Sequence, residues 1–194
     1  TDLKPFKKIV LVAIGKAAWP MARSMQNLLD PRVASGVVVS SVEPPAPLPY
    51  LLHYQGGHPI PNQTSVHAAD VVLELLGQMK QNHLVIFLLS GGGSAILEKP
   101  LDASITLDHL QAFYQLLVNQ SGANIVDMNI LRKHFSAVKG GRLGEAAHPA
   151  RQITLYVSDV PAGQASTVAS GPTMPDEYTV EHCRRIVERL GLYD

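Results

Sequence analysis

Three consecutive glycines stand between two hydroxyls in Ser90-Gly91-Gly92-Gly93-Ser94, directly after the uninterrupted apolar run Leu84 to Leu89. Glycines there let the backbone come close to an anion, which exposed N–H groups and the dipole of a following helix favour. Phosphate is the natural guest; the competing reading is a tight turn that needs glycine only for positive φ. Other polar groups gather in short clusters. Lys16 follows Gly15 at the end of an apolar run, and His58 follows Gly56 and Gly57. Asn129, Arg132, Lys133, Ser136, Lys139 and Arg142 crowd four cations into one stretch, which taken singly reads more often as a solvated helix face. Ser158 and Asp159 end a further apolar run, and Ser170-Gly171 adds a hydroxyl-rich turn. Together, cations, oriented N–H groups and a carboxylate able to hold Mg²⁺ are the parts of phosphoryl transfer, whose catalysis is mainly positioning and charge neutralisation.

For these residues to meet, the elements that carry them must end at one edge of a sheet. A strand apolar at every position, as Leu84 to Leu89 is, has both faces covered and belongs in a parallel sheet flanked by helices. Ile9 to Ile14, Val37 to Ser40 and Ile153 to Val157 read as further strands. Helical spacing marks Ala17 to Leu29, Thr64 to Lys80, Thr106 to Val118, Asp127 to Phe135 and Thr179 to Leu190. Glu43 to Pro49, with four prolines, reads as an extended connector. Strand and helix in alternation give a doubly wound, mainly parallel α/β sheet with helices on both faces, a Rossmann-like fold, as a single domain over 1–194. In such sheets ligands collect at the carboxyl ends of the strands.

Composition narrows the classes. Sixteen basic and sixteen acidic residues balance, so neither nucleic acid nor an anionic membrane is the expected partner, and no apolar run approaches the ~20 residues of a membrane helix. The lone Cys183 excludes an internal disulfide and fits a reducing compartment, the cytoplasm. Gly15-Lys16 continues into Ala17 and Val10 occupies the upstream glycine position, so no P-loop is present. Gly91 to Ile96 lacks the final glycine of a dinucleotide fingerprint and of a nucleophile elbow, which weakens an NAD site. A hydrolase using Ser94 with His134, His148 and Asp159 stays conceivable.

Seven segments then occur in order: Gly15-Lys16-Ala17-Ala18, Gly57-His58-Pro59-Ile60-Pro61, Ser90 to Ala95, Asn129 to Ser136, Lys139-Gly140-Gly141-Arg142-Leu143, Ser158-Asp159-Val160 and Ala169 to Thr173. Together they resemble the N-terminal domain of the MOFRL-type glycerate kinases, the glycerate 2-kinases, over nearly the whole chain. The resemblance implies ATP- and Mg²⁺-dependent phosphorylation of D-glycerate in a cleft shared with a C-terminal domain, of which no segment is found before Asp194. In that reading Lys16, Asp159 and Arg132 are catalytic. Ser90, Gly91, Gly92, Gly93 and Ser94, with Asn129, Lys133, Ser170 and Gly171, bind the nucleotide, Arg132 and Lys133 pairing with anionic oxygens. Asp159 holds Mg²⁺ or orients the glycerate hydroxyl. Where the family carries a Gly-Asp pair this chain has Pro161-Ala162-Gly163-Gln164, so a carboxylate expected near Gly163 is missing. The alternatives are a non-catalytic phosphate-binding or interaction module and an NAD(P)-dependent hydroxypyruvate reductase. A homo-oligomer stays open.

Overall fold

The computed structural model describes residues 2–119, 122–157 and 165–192. Five strands form one sheet: β1 (Lys8–Ile14), β2 (Val33–Ser40), β3 (Leu51–Gln55), β4 (His83–Leu89) and β5 (Arg151–Tyr156). Their order is β3-β2-β1-β4-β5 and every pairing is parallel. The chain moves outward from β1 through β2 to β3, then crosses back to place β4 on the other side of β1. The direction of winding therefore reverses between β1 and β4, and the loops leaving those two strands open at the switch point where such sheets bind ligands.

The apolar strands are buried on both faces, as their lack of alternation demands. Val10, Val12, Val85 and Phe87 pack under the helix α2 (Gln63–Gly77), through Ala68, Val72 and Leu76. Ile9, Leu11, Leu84 and Ile86 pack on the opposite face under α1 (Ala18–Leu29), through Ala18 and Ala22. The expected two-faced α/β architecture is thus present. The helix α2 begins at Asn62, whose side chain accepts from the Ser65 N–H in a capping box.

A short turn of helix, α3 (Gly93–Ile96), follows β4, and α4 (Leu107–Asn119), α5 (Ile125–Phe135), α6 (Arg142–Ala146), a 3₁₀ segment (Ala165–Ser170) and α7 (Val180–Leu190) complete the described elements. The periodicity located β1, β4 and the five longer helices to within a few residues. It did not reveal β3, an exposed edge strand after the proline connector, or the five-residue α6. Neither is long enough to show a period of its own.

Candidate functional site

The loops at the switch point are stitched together by backbone. Ser90 N–H donates to the Ile14 carbonyl at 2.9 Å and Lys16 N–H to the Gly91 carbonyl at 2.9 Å. The buried Ser90 hydroxyl accepts from Ala17 N–H at 3.0 Å, so it joins the two loops. Gly15 is required by this closeness: at φ +119° a Cβ there would lie 2.3 Å from Ser90 Oγ. Gly92 adopts φ +83° and leaves room that its Cβ would take from His58, at 2.9 Å, and from Lys16 Cε, at 3.2 Å. Gly93 admits Ala169, whose Cβ would be 2.6 Å from a Cβ at Gly93. Gly91 meets nothing.

A cavity of about 310 Å³ opens beside this turn. Its walls include His58, Gly91, Gly92 and Ser94 from one side, Asn129 and Arg132 from α5, and the stretch Thr167 to Ala169. Ile125 and Val126 form its apolar lip. The sequence clusters around residues 91, 129, 132 and 170 therefore converge, although almost 40 residues separate the first two. Ser170 Oγ donates to Asn129 Oδ1 at 3.0 Å and lies 2.7 Å from Ser94 Oγ, so the Ser94 hydroxyl supplies the proton of that second bond. Ala169, Ser170 and Gly171 all have left-handed backbone, at φ 52°, 60° and 60°. Non-glycine residues there cost about 1–2 kcal/mol each. That conformation is held by Gly140 N–H donating to the Ser170 carbonyl and Gly141 N–H to that of Gly171.

The four-cation cluster is not a solvated face. Arg132 and Lys133 are buried helical neighbours about 100° apart around α5, so they cannot serve one ligand side by side. Lys133 turns to Asp176, at 3.1 Å, and to the ring of Tyr178, and is not brought to the cavity where a pairing with anionic oxygens was expected. Asn129 and Arg132, spaced i and i+3, share the cavity face. Arg142 donates to the Lys133 and Lys139 carbonyls. Gly171 is a structural turn whose Cβ would strike the Ser166 carbonyl at 2.6 Å. His134 Nδ1 bonds the Ile130 carbonyl and Ser94 bonds Ser170, so no described serine–histidine pair supports a hydrolase. Ser158 and Asp159 lie outside the described residues.

Beneath the cavity sits a group the motifs did not mark. Glu98, 1% exposed, accepts from Lys139 Nζ at 2.6 Å, Tyr114 OH at 2.5 Å, Ser136 Oγ at 2.5 Å and its neighbour's Lys99 N–H at 2.9 Å. The Tyr114 hydroxyl is also 2.7 Å from the Ser94 carbonyl, and its ring lies under Arg132, whose Cζ is 4.6 Å from the ring centroid. Burial, with the Glu98 charge second, holds the Tyr114 phenol well above its ordinary pKa. Burial pushes the Lys139 ammonium below its own value despite Glu98. No sequence signal beyond the need of a buried lysine for a counter-charge pointed to Glu98. At the mouth, burial and then the Lys16 and Arg132 cations lower the pKa of His58. The arrangement offers a positively charged recess, open on one side and lined with N–H and hydroxyl groups, suited to anions.

A family described as a domain of unknown function, DUF4147, matches residues 1–194. A D-glycerate 2-kinase from Thermotoga maritima is 39% identical over 186 residues, covering 95% of this chain and 44% of that protein. A relative from Agrobacterium vitis that carries the name hydroxypyruvate reductase is 39% identical over 95% of this chain and 48% of its own length. The crystal structure of a glycerate kinase from Thermotoga maritima superposes with a TM-score of 0.88 at 39% identity, covering 96% of this chain and 45% of that one. The chain thus spans about half the length of these relatives.

Proposed function

This chain belongs to the DUF4147 family, the N-terminal domain of the MOFRL-type glycerate kinases, and on that premise we propose that it forms one wall of an ATP-dependent kinase converting D-glycerate to 2-phosphoglycerate. The observation that carries the reading is the cavity at the β1/β4 switch point, where a glycine turn, the Arg132 cation and an asparagine face one recess and Lys16 stands beside the Gly92 turn. Phosphoryl transfer asks the protein to place two polyanions together and offset their charge. Lys16 and the Gly92 turn neutralise and cradle phosphate oxygens, and Gly93 lets the Ala169 to Gly171 strap close over the turn. Ser94 is held in one hydrogen-bonding sense by Ser170 and Asn129. The remainder of the longer protein is the partner that supplies the opposite wall and excludes water.

Magnesium, the companion of ATP in this reading, needs oxygen ligands from carboxylates or phosphates. The described lining carries amide, guanidinium, hydroxyl and imidazole groups but no carboxylate, and no group of three metal-ligating side chains occurs among the described residues. Those residues do not by themselves hold the ion. No helix among them is long and apolar enough to cross a membrane.

The test is a paired assay on the protein that carries this chain in full. ATP with D-glycerate should release ADP and yield 2-phosphoglycerate, identified by phosphorus NMR. Hydroxypyruvate with NADH or NADPH should give no reduction. Reduction without phosphoryl transfer would replace the kinase by the reductase, and neither reaction would favour a non-catalytic binding module.

A further inference from the structure

Among the described residues around Glu98, two cations form no ion pair, Arg132 and Arg142, and only Arg142 has backbone carbonyls in place of a counter-charge. Glu98 balances Lys139 at 2.6 Å, Lys133 is balanced by Asp176, and Arg142 is spent on backbone carbonyls. Arg132 forms no ion pair with any described carboxylate, is only 8% exposed, and its buried Nε has no hydrogen-bond partner. A buried guanidinium left in this state is costly unless an anion completes it. The ring of Tyr114 packs against it, with Arg132 Cζ 4.6 Å from the ring centroid, and the Tyr114 hydroxyl is tied to Glu98 and Ser94, so the guanidinium is held at the cavity wall before any ligand arrives. Asn129, one turn away on the same face and 7% exposed, has its Oδ1 occupied by Ser170, which leaves its NH₂ as the unused donor. Lys16, a second cation near the recess, lies against the Gly92 turn and not in the cavity lining, its Cε 3.2 Å from where a Cβ at Gly92 would stand. Two separate cationic positions call for a pair of separate anionic groups.

We propose that Arg132 and Asn129 form a carboxylate clamp for the hydroxy-acid substrate, leaving Lys16 and the Gly92 turn to the phosphoryl group. The planar guanidinium fork matches a carboxylate in a way that an ammonium does not. Tyr114 is a positioning residue: it touches no ligand and fixes the plane of Arg132. The assignment rests on the kinase reading and specifies which end of the substrate lies where.

The experiment measures D-glycerate and ATP binding separately by calorimetry, in the protein that carries this chain in full, with glycerol as the ligand lacking a carboxylate. Arg132→Met should weaken D-glycerate roughly 10- to 100-fold, the range expected for losing a charge-assisted hydrogen bond, and leave ATP within about threefold. Arg132→Lys, which keeps charge but loses the fork, should recover only part of the loss. Tyr114→Phe, which keeps the ring, should weaken D-glycerate by about threefold to tenfold on losing the hydrogen bond that ties the ring to Glu98, and leave ATP unchanged. Glycerol should bind weakly and equally throughout. A merely structural arginine would lower both affinities together, so the ratio of the two is the readout; if the methionine variant does not fold, the lysine variant is read by the same ratio. Loss of ATP with D-glycerate retained, a parallel loss of both, or no loss of either would overturn the clamp while leaving the kinase standing. Wild-type protein that binds neither ligand would overturn the kinase reading itself.

Discussion

Gly91 and Gly92 are neighbours in one loop and should respond unequally to an added methyl group. Gly92 is left-handed, at φ +83°, and its Cβ would press on the movable ends of His58 and Lys16. Gly92→Ala should therefore cost about 1–2 kcal/mol of stability and displace the two groups that face the anion, reducing sulfate affinity at least about tenfold. Gly91→Ala meets open space and should change stability by less than about 0.5 kcal/mol. Gly15→Ala has no such escape, because the Ser90 backbone stands 2.5 Å away, and should destabilise by about 3 kcal/mol or more. Urea midpoints and sulfate titrations separate the three. His58 adds a pH dependence. Its pKa in the folded protein is lowered below the ordinary 6.5, first by burial and then by Lys16 and Arg132. Between those two values the unfolded chain binds more protons, so this residue makes stability fall as pH drops through that window. A bound anion favours the protonated imidazole, so sulfate should bind more tightly at pH 5.5 than at pH 7.5, values bracketing the reference histidine pKa of about 6.5. Both slopes should flatten in His58→Gln; slopes unchanged in that variant would assign the titration elsewhere.

At the scale of elements, α5 decides which motif residues act. Its start is fixed by Asn124, which accepts from the Val126 and Asp127 N–H groups, and Asn124→Ala should cost about 1 kcal/mol in urea unfolding. The same helix sends Asn129 and Arg132 into the cavity and Lys133 away from it, a division that an order of residues in a motif does not contain. The segment after α3 is locked by Glu98. Glu98→Gln removes the carboxylate and leaves Lys139 a buried, unpaired cation, so a loss of about 3–5 kcal/mol is expected by chemical denaturation. The double variant Glu98→Gln with Lys139→Met should recover part of it, because both charges are then gone. If the single and double variants are equally unstable, the pair is not the source of the cost.

For the whole molecule, the sheet brings the β1 and β4 loops to one edge and leaves β5 as an outer strand with Leu155 and Tyr156 exposed. Phosphoryl transfer needs an in-line hydroxyl and exclusion of water, and the recess described here is open on one side. Residues 1–194 alone should bind nucleotide weakly and phosphorylate D-glycerate no faster than background, whereas the longer protein should turn over; robust turnover by the 194 residues would refute the one-wall argument. Much of this was legible in the order of residues. Unbroken apolar strands alternating with amphipathic helices have few ways to bury their faces, so the parallel α/β sheet and the importance of the Ser90 to Ser94 loop followed from burial and local geometry alone. Partner choice did not follow, because it depends on which side chains meet across long separations. Only the folded chain decided that Lys133 belongs to Asp176, that Ser90 serves the backbone, that Glu98 and Tyr114 underlie the site, and that Arg132 has no counter-charge among the described residues.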